Sequence, residues 1–114
     1  MRLGPVSRLR RRREFLAVQR RGKRLHVGPL VVLALRSGGS RARLGVTVSS
    51  KIANAVTRNR IKRWVREAFR GVAAGLPAVD VVVVARPGAD RAGLAGARQA
   101  LEAARGRLAA EGAP

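Results

Sequence analysis

The segment NAVTRNRIKRWVREAFR, residues 54–70, constrains the fold more than any other. Wound as a helix at about 100° per residue, it gathers Ile61, Trp64, Val65, Ala68 and Val72 into one narrow sector, with Phe69 at its edge. The opposite sector holds Asn59, Lys62, Arg63, Arg66 and Arg70, and Arg58 and Arg60 flank the two faces. Like charges three or four residues apart cost about 0.2–0.5 kcal/mol each. Burying Ile61, Trp64, Val65 and Phe69 contributes about 1.5–3 kcal/mol apiece. Packing wins, so the helix forms and carries a cationic stripe. Trp64 falls on the packing side, with stacking on a base as the alternative. A solvated face normally mixes signs, whereas Glu67 is the one acid here, to the side of the stripe. Asn54 and Thr57 are available to cap the helix start.

Such a helix needs an apolar layer to lie on. PLVVLALR, residues 29–36, is a continuous apolar run and reads as a buried strand. RLGVTVS, residues 43–49, sets Leu44, Val46 and Val48 against Gly45, Thr47 and Ser49, a strand with one buried face. The Gly-rich turn between these two predicts a hairpin, and KRLHV before Gly28 predicts a further strand. VDVVVVAR, residues 79–86, is a valine-dominated strand. Ser7 is placed to cap a first helix starting at Arg8 and ending at Gly22. Asp90 is placed to cap a last helix striped by Leu94, Ala97, Leu101, Ala104 and Leu108. The order is α-β-β-β-α-β-α, which implies an α+β fold: a two-layer α/β sandwich on a small mixed sheet. With 114 residues, one domain over residues 8–108 is expected, between a flexible N-terminus (1–7) and a frayed tail (109–114).

Charge bounds the partners. Twenty-five basic residues, 22 of them arginine, face six acids, for a formal net charge of +19. That imbalance repels the chain from itself and attracts polyanions, nucleic acid before an acidic membrane surface. No apolar run approaches the ~20 residues of a membrane helix. The basic start lacks the apolar stretch of a signal peptide. With no cysteine, disulfides and thiolate metal sites are excluded, and a cytoplasmic protein is the expectation.

Catalytic groups are scarce. His26 is the sole histidine, and a lone histidine is more often a surface or structural residue than a general base. The six acids are scattered, whereas a two-metal nuclease needs several carboxylates converging on one site. There is no GxxxxGK[ST] loop and no GxGxxG fingerprint. Any reaction this chain joins draws its chemistry from a partner.

SKIANAVTRNRIKRWVREAFR, with Arg58-Asn59-Arg60 at its heart, resembles the signature of the protein subunit of bacterial ribonuclease P. RLRRRREFLAVQRRG, LGVTVS and VDVVVVARPGA follow the family's order and spacing, so the resemblance covers about residues 8–108. It implies a left-handed β-α-β crossover through strand 43–49, the signature helix and strand 79–86, an exception to the usual handedness. It implies a noncatalytic subunit that assists a catalytic RNA, acting with Mg2+, in removing the 5′ leader from precursor tRNA. By position it places Lys51, Asn54, Arg58, Asn59, Arg60, Lys62, Arg63 and Arg66 against RNA. It places Phe15, Val18 and Val31 in a leader cleft between the first helix and the sheet. It implies no dedicated protein ligands for the metal. The chain departs from the pattern at Gln19 and Leu33, where aromatics are frequent, at Ser50, where a second lysine is common, and at Ala53, where glycine is. Charge and size fit a structural RNA-binding protein, such as a ribosomal component, equally well.

Overall fold

The computed structural model describes residues 7–114. The expected flexible N-terminus therefore lies, apart from Ser7, outside the described residues. The elements are α1 (Arg12–Arg21), β1 (Lys23–Val27), β2 (Leu30–Arg36), β3 (Arg43–Thr47), α2 (Ala55–Val72), β4 (Val79–Ala85) and α3 (Gly93–Glu111). Short 3-10 turns at Ala73–Gly75 and Ala89–Arg91 follow α2 and β4. The order matches the α+β expectation.

The sheet runs β1-β2-β4-β3. The pairs β1–β2 and β2–β4 are antiparallel, and β3–β4 is parallel. The predicted hairpin between residues 29–36 and 43–49 does not exist, because β4 lies between those two strands. The hairpin is instead β1–β2, turning at Gly28-Pro29, with Val27 opposite Leu30. Two-sided burial explains the order. β2 and β4 are apolar along both faces and take the centre, where both faces are covered. β1, which alternates in burial, and β3, buried only at Leu44 and Gly45, take the edges.

Period-2 alternation divides the sheet. Leu30, Val32 and Ala34 of β2, with Val79, Val81, Val83 and Ala85 of β4, face α2 and α3 in the main core. The α2 side chains Ile61, Val65, Ala68, Phe69 and Val72 are buried there, and Trp64 packs at its margin. The α3 stripe Ala97, Leu101, Ala104 and Leu108 joins them, with Ala100. On the other face Val31, Leu33 and Val82 form a smaller core with Leu9 and Val18 under α1.

Two expected helix starts move. Ser7 does not cap α1. Residues 7–9 are extended along the outer edge of β3, where the Leu44 N–H donates to the Ser7 carbonyl (2.8 Å) and the Leu9 N–H to the Leu44 carbonyl (2.9 Å). That pairing covers an edge strand, buries Leu9, and spares the arginine run the repulsion of a helical turn. Asp90 lies in the 3-10 turn after β4, and α3 begins without a side-chain cap. At the other end α3 reaches Glu111, and the Pro114 carbonyl accepts from the Arg36 N–H at 2.7 Å.

Candidate nucleic-acid interface

Asn54 adopts extended backbone and its Oδ1 accepts from the Thr57 N–H at 2.9 Å, so the expected cap of α2 is formed. The apolar sector, held in the core, fixes the roll of the helix. Asn59, Arg60 and Arg63 are consequently exposed, and Arg58, Lys62 and Arg66 are half-buried. Lys51 is exposed in the turn before the helix, and one Arg58 guanidinium N–H donates to the Ala53 carbonyl at 2.9 Å. The eight residues assigned to RNA thus lie on α2 and its approach.

Five of the six acids are engaged elsewhere. Among the described residues, Glu14 and Asp80 pair with Arg43, Glu67 with Arg70, Glu102 with Arg105, and Glu111 with Lys23 and Arg107. None of these pairs includes Lys51, Arg58, Arg60, Lys62, Arg63 or Arg66. Arg66 carries the clearest sign of crowding. Desolvation first, then repulsion from Arg8, Arg70 and Arg63, lowers its pKa from the ordinary arginine value. It stays protonated at neutral pH, and an anion beside it would relieve both penalties.

Two hollows flank α1, which crosses the sheet from the β3 edge to β1. The one near its N-terminal end, about 150 Å³, is lined by Arg8, Leu9, Phe15, Leu44, Gly45, Val46, Lys62 and Arg66. It joins the cationic face of α2 to the Phe15 ring. Gly45 makes this possible, because a Cβ there would lie 2.4 Å from the ring. The second hollow, about 250 Å³, lies beside the C-terminal half of α1 and is lined by Gln19, Arg24, His26, Val31, Leu33, Val84 and Arg86. The three residues assigned to one leader cleft share the small core between α1 and the sheet but open onto different surfaces. Phe15 lines the first hollow and Val31 the second. Val18, with no exposed surface, is the α1 side chain buried against the sheet. Arg8, Arg24 and Arg86 were not singled out from the sequence, and His26 was read there as a surface or structural residue. Arg8 reaches the site because residues 7–9 pair with β3, and no local pattern announces that pairing.

The Arg43 cluster was also missed. Its guanidinium makes a bidentate contact with Asp80, both bonds 2.9 Å, and reaches Glu14 Oε2 at 2.9 Å. The other Glu14 oxygen accepts from the N–H groups of Arg11 (3.1 Å) and Arg10 (3.3 Å). The bond from Arg11 is the largest influence holding the Glu14 pKa below its usual value. Among the described residues no three His, Cys, Asp or Glu side chains converge as a metal site. With five acids committed to cations, this chain's described residues do not fit a dedicated magnesium centre.

Fold and site define a small basic α+β protein that presents a row of unneutralised cations from one helix and carries no cluster of catalytic groups among its described residues. A family model described as Ribonuclease P matches residues 3–109. The ribonuclease P protein component of Desulfatibacillum aliphaticivorans is 49% identical over 81 residues, 70% of this chain and 69% of that protein. That of Citrifermentans bemidjiense is 41% identical over 103 residues, 90% of this chain and 89% of its own. The solved RNase P protein of Thermotoga maritima superposes with a TM-score of 0.76 at 36% identity, covering 89% of this chain and 96% of that one. The chain belongs to the ribonuclease P protein family. It is the noncatalytic protein subunit of an endoribonuclease that works as a ribonucleoprotein.

Proposed function

We propose that α2 docks this subunit on the catalytic RNA, while the surface around α1 holds the 5′ leader of precursor tRNA. Six signature cations without acidic partners among the described residues are the observation that carries the reading. Cations left unneutralised along a rigid helix suit a row of phosphates, which arginine binds through two parallel N–H donors. Asn59 stands among them with a side chain able to bond a base edge or a 2′-hydroxyl. The hollows combine apolar floors with cationic rims, the composition a single-stranded segment needs. With Gln19 and Leu33 in place of aromatics, apolar and phosphate contacts carry more of the leader than stacking does. The Mg2+ of the reaction belongs with the RNA, where it supplies the phosphodiester chemistry. The test is cleavage of precursor tRNA by the cognate catalytic RNA at low magnesium, with and without this protein. Raised cleavage or substrate affinity is expected. No change in either would remove the reading, and cleavage by the protein alone would replace it.

A further inference from the structure

We infer that Arg43 and Glu14 are positioning residues that seat α1 on the sheet and thereby set the shape of the leader-holding surface. The inference rests on the leader reading above and extends it to residues that touch no RNA.

α1 is poorly equipped to stay in place by itself. It has ten residues, below the length at which an isolated helix is stable. It buries one side chain completely, Val18, where α2 buries five. Arg12, Arg13, Arg20 and Arg21 repel one another along it, and Glu14 is its one acid. Its two ends are nevertheless fixed. At the C-terminal end Gly22 passes so close to its neighbours that a Cβ would lie 2.4 Å from the Val18 carbonyl oxygen and 3.1 Å from that of Ala34. At the N-terminal end the chain of contacts runs from the Arg10 and Arg11 N–H groups through Glu14 and Arg43 to Asp80 on β4. It is the one ion-pair network among the described residues that joins α1 to the sheet.

Both hollows are bounded by α1, through Phe15 in one and Gln19 in the other. A shift of the helix N-terminus reshapes the first directly and tilts the wall of the second. Neither Arg43 nor Glu14 lines either of these two hollows, so their effect passes through the helix. A protein whose binding-competent arrangement is partly lost binds more weakly in proportion. The chemical step, performed by the RNA, is untouched.

The experiment uses the ribonucleoprotein reconstituted with the cognate catalytic RNA and either unmutated protein, Glu14→Gln or Arg43→Met. Glu14→Gln keeps an oxygen for the backbone N–H groups and removes the ion pair. Leader-bearing precursor tRNA should bind about fivefold more weakly with Glu14→Gln and about tenfold with Arg43→Met, the scale of one lost hydrogen bond. Mature tRNA affinity and saturating kcat should stay within about twofold. In the free proteins, amide exchange should accelerate over 16–21 of α1 and not over 61–69 of α2. If Arg43→Met fails to fold, Glu14→Gln decides. Unchanged leader preference together with unchanged α1 exchange overturns the inference alone. Equal binding of precursor and mature tRNA by the unmutated particle overturns the leader reading and this inference with it.

Discussion

The outer face of α2 and the junction of α1 with the sheet use arginine in opposite ways. On α2, Arg60, Arg63 and Arg66 stand along one helix with no acid paired to them among the described residues. At the junction one arginine, Arg43, is held by two acids, and Asp80 is only 9% exposed. The first arrangement costs the free protein stability and leaves its cations available. The second neutralises its cation and uses it as a tie. With six acids against 25 basic residues, where the acids go decides which arginines remain for a partner. Five of them go to Arg43, to cations on or beside α3 and to Arg70 at the end of α2, and among the described residues none pairs with Lys51, Arg58, Arg60, Lys62, Arg63 or Arg66.

Substitutions that treat the two arginine sets alike should break that contrast. Arg43→Met leaves Asp80 and Glu14 without their cation. Breaking a buried pair costs about 3–5 kcal/mol. Partial exposure of Arg43 discounts this to about 2–3 kcal/mol, read as a lowered urea midpoint. A loss under about 0.5 kcal/mol would mean that the junction is no tie. Asn54→Ala should cost about 1 kcal/mol by the same measurement, because the Thr57 N–H loses its acceptor. A smaller effect comes from acid. The folded-state pKa of Glu14 is lowered. Its contribution is therefore complete above the unfolded value, near 4.5, and is lost as pH falls through the lower folded value. Unmutated protein should lose stability over that acid window more steeply than Glu14→Gln. Parallel curves would remove Glu14 from the tie. The smallest change belongs to Arg63→Ala, within about 0.5 kcal/mol of the unmutated stability and on either side of it.

Legibility from sequence followed the range of the interactions. α2 was readable to its cap, since Asn54, Thr57 and the apolar sector repeat within a few residues of one another. The strands were readable as strands, but their neighbours were not. The continuous runs of β2 and β4 and the alternation of β1 and β3 already separate central from edge positions. That difference does not choose which edge strand lies beside β2, and the Gly-Gly turn pointed to the wrong one. The start of α1 was misjudged because the competitor for the backbone of Ser7 and Leu9 was Leu44, on an edge strand far along the chain. The same distance concealed the Arg43 cluster, whose members come from α1, β3 and β4. Phe15 and Val31 are both on the α1 side of the sheet, as the resemblance implied. That they line separate hollows depends on how α1 lies across β2 and β4, which no periodicity encodes.

The central claim is that the unpaired cations of α2 are held for RNA phosphates. Its most direct test is the slope of log affinity against log salt for the cognate catalytic RNA, measured with unmutated protein and with Arg60, Arg63 and Arg66 all changed to alanine. Each lost phosphate contact should lower the magnitude of the slope by about 0.7–0.9, so about 2–3 for the three. Weaker binding at an unchanged slope would contradict the account.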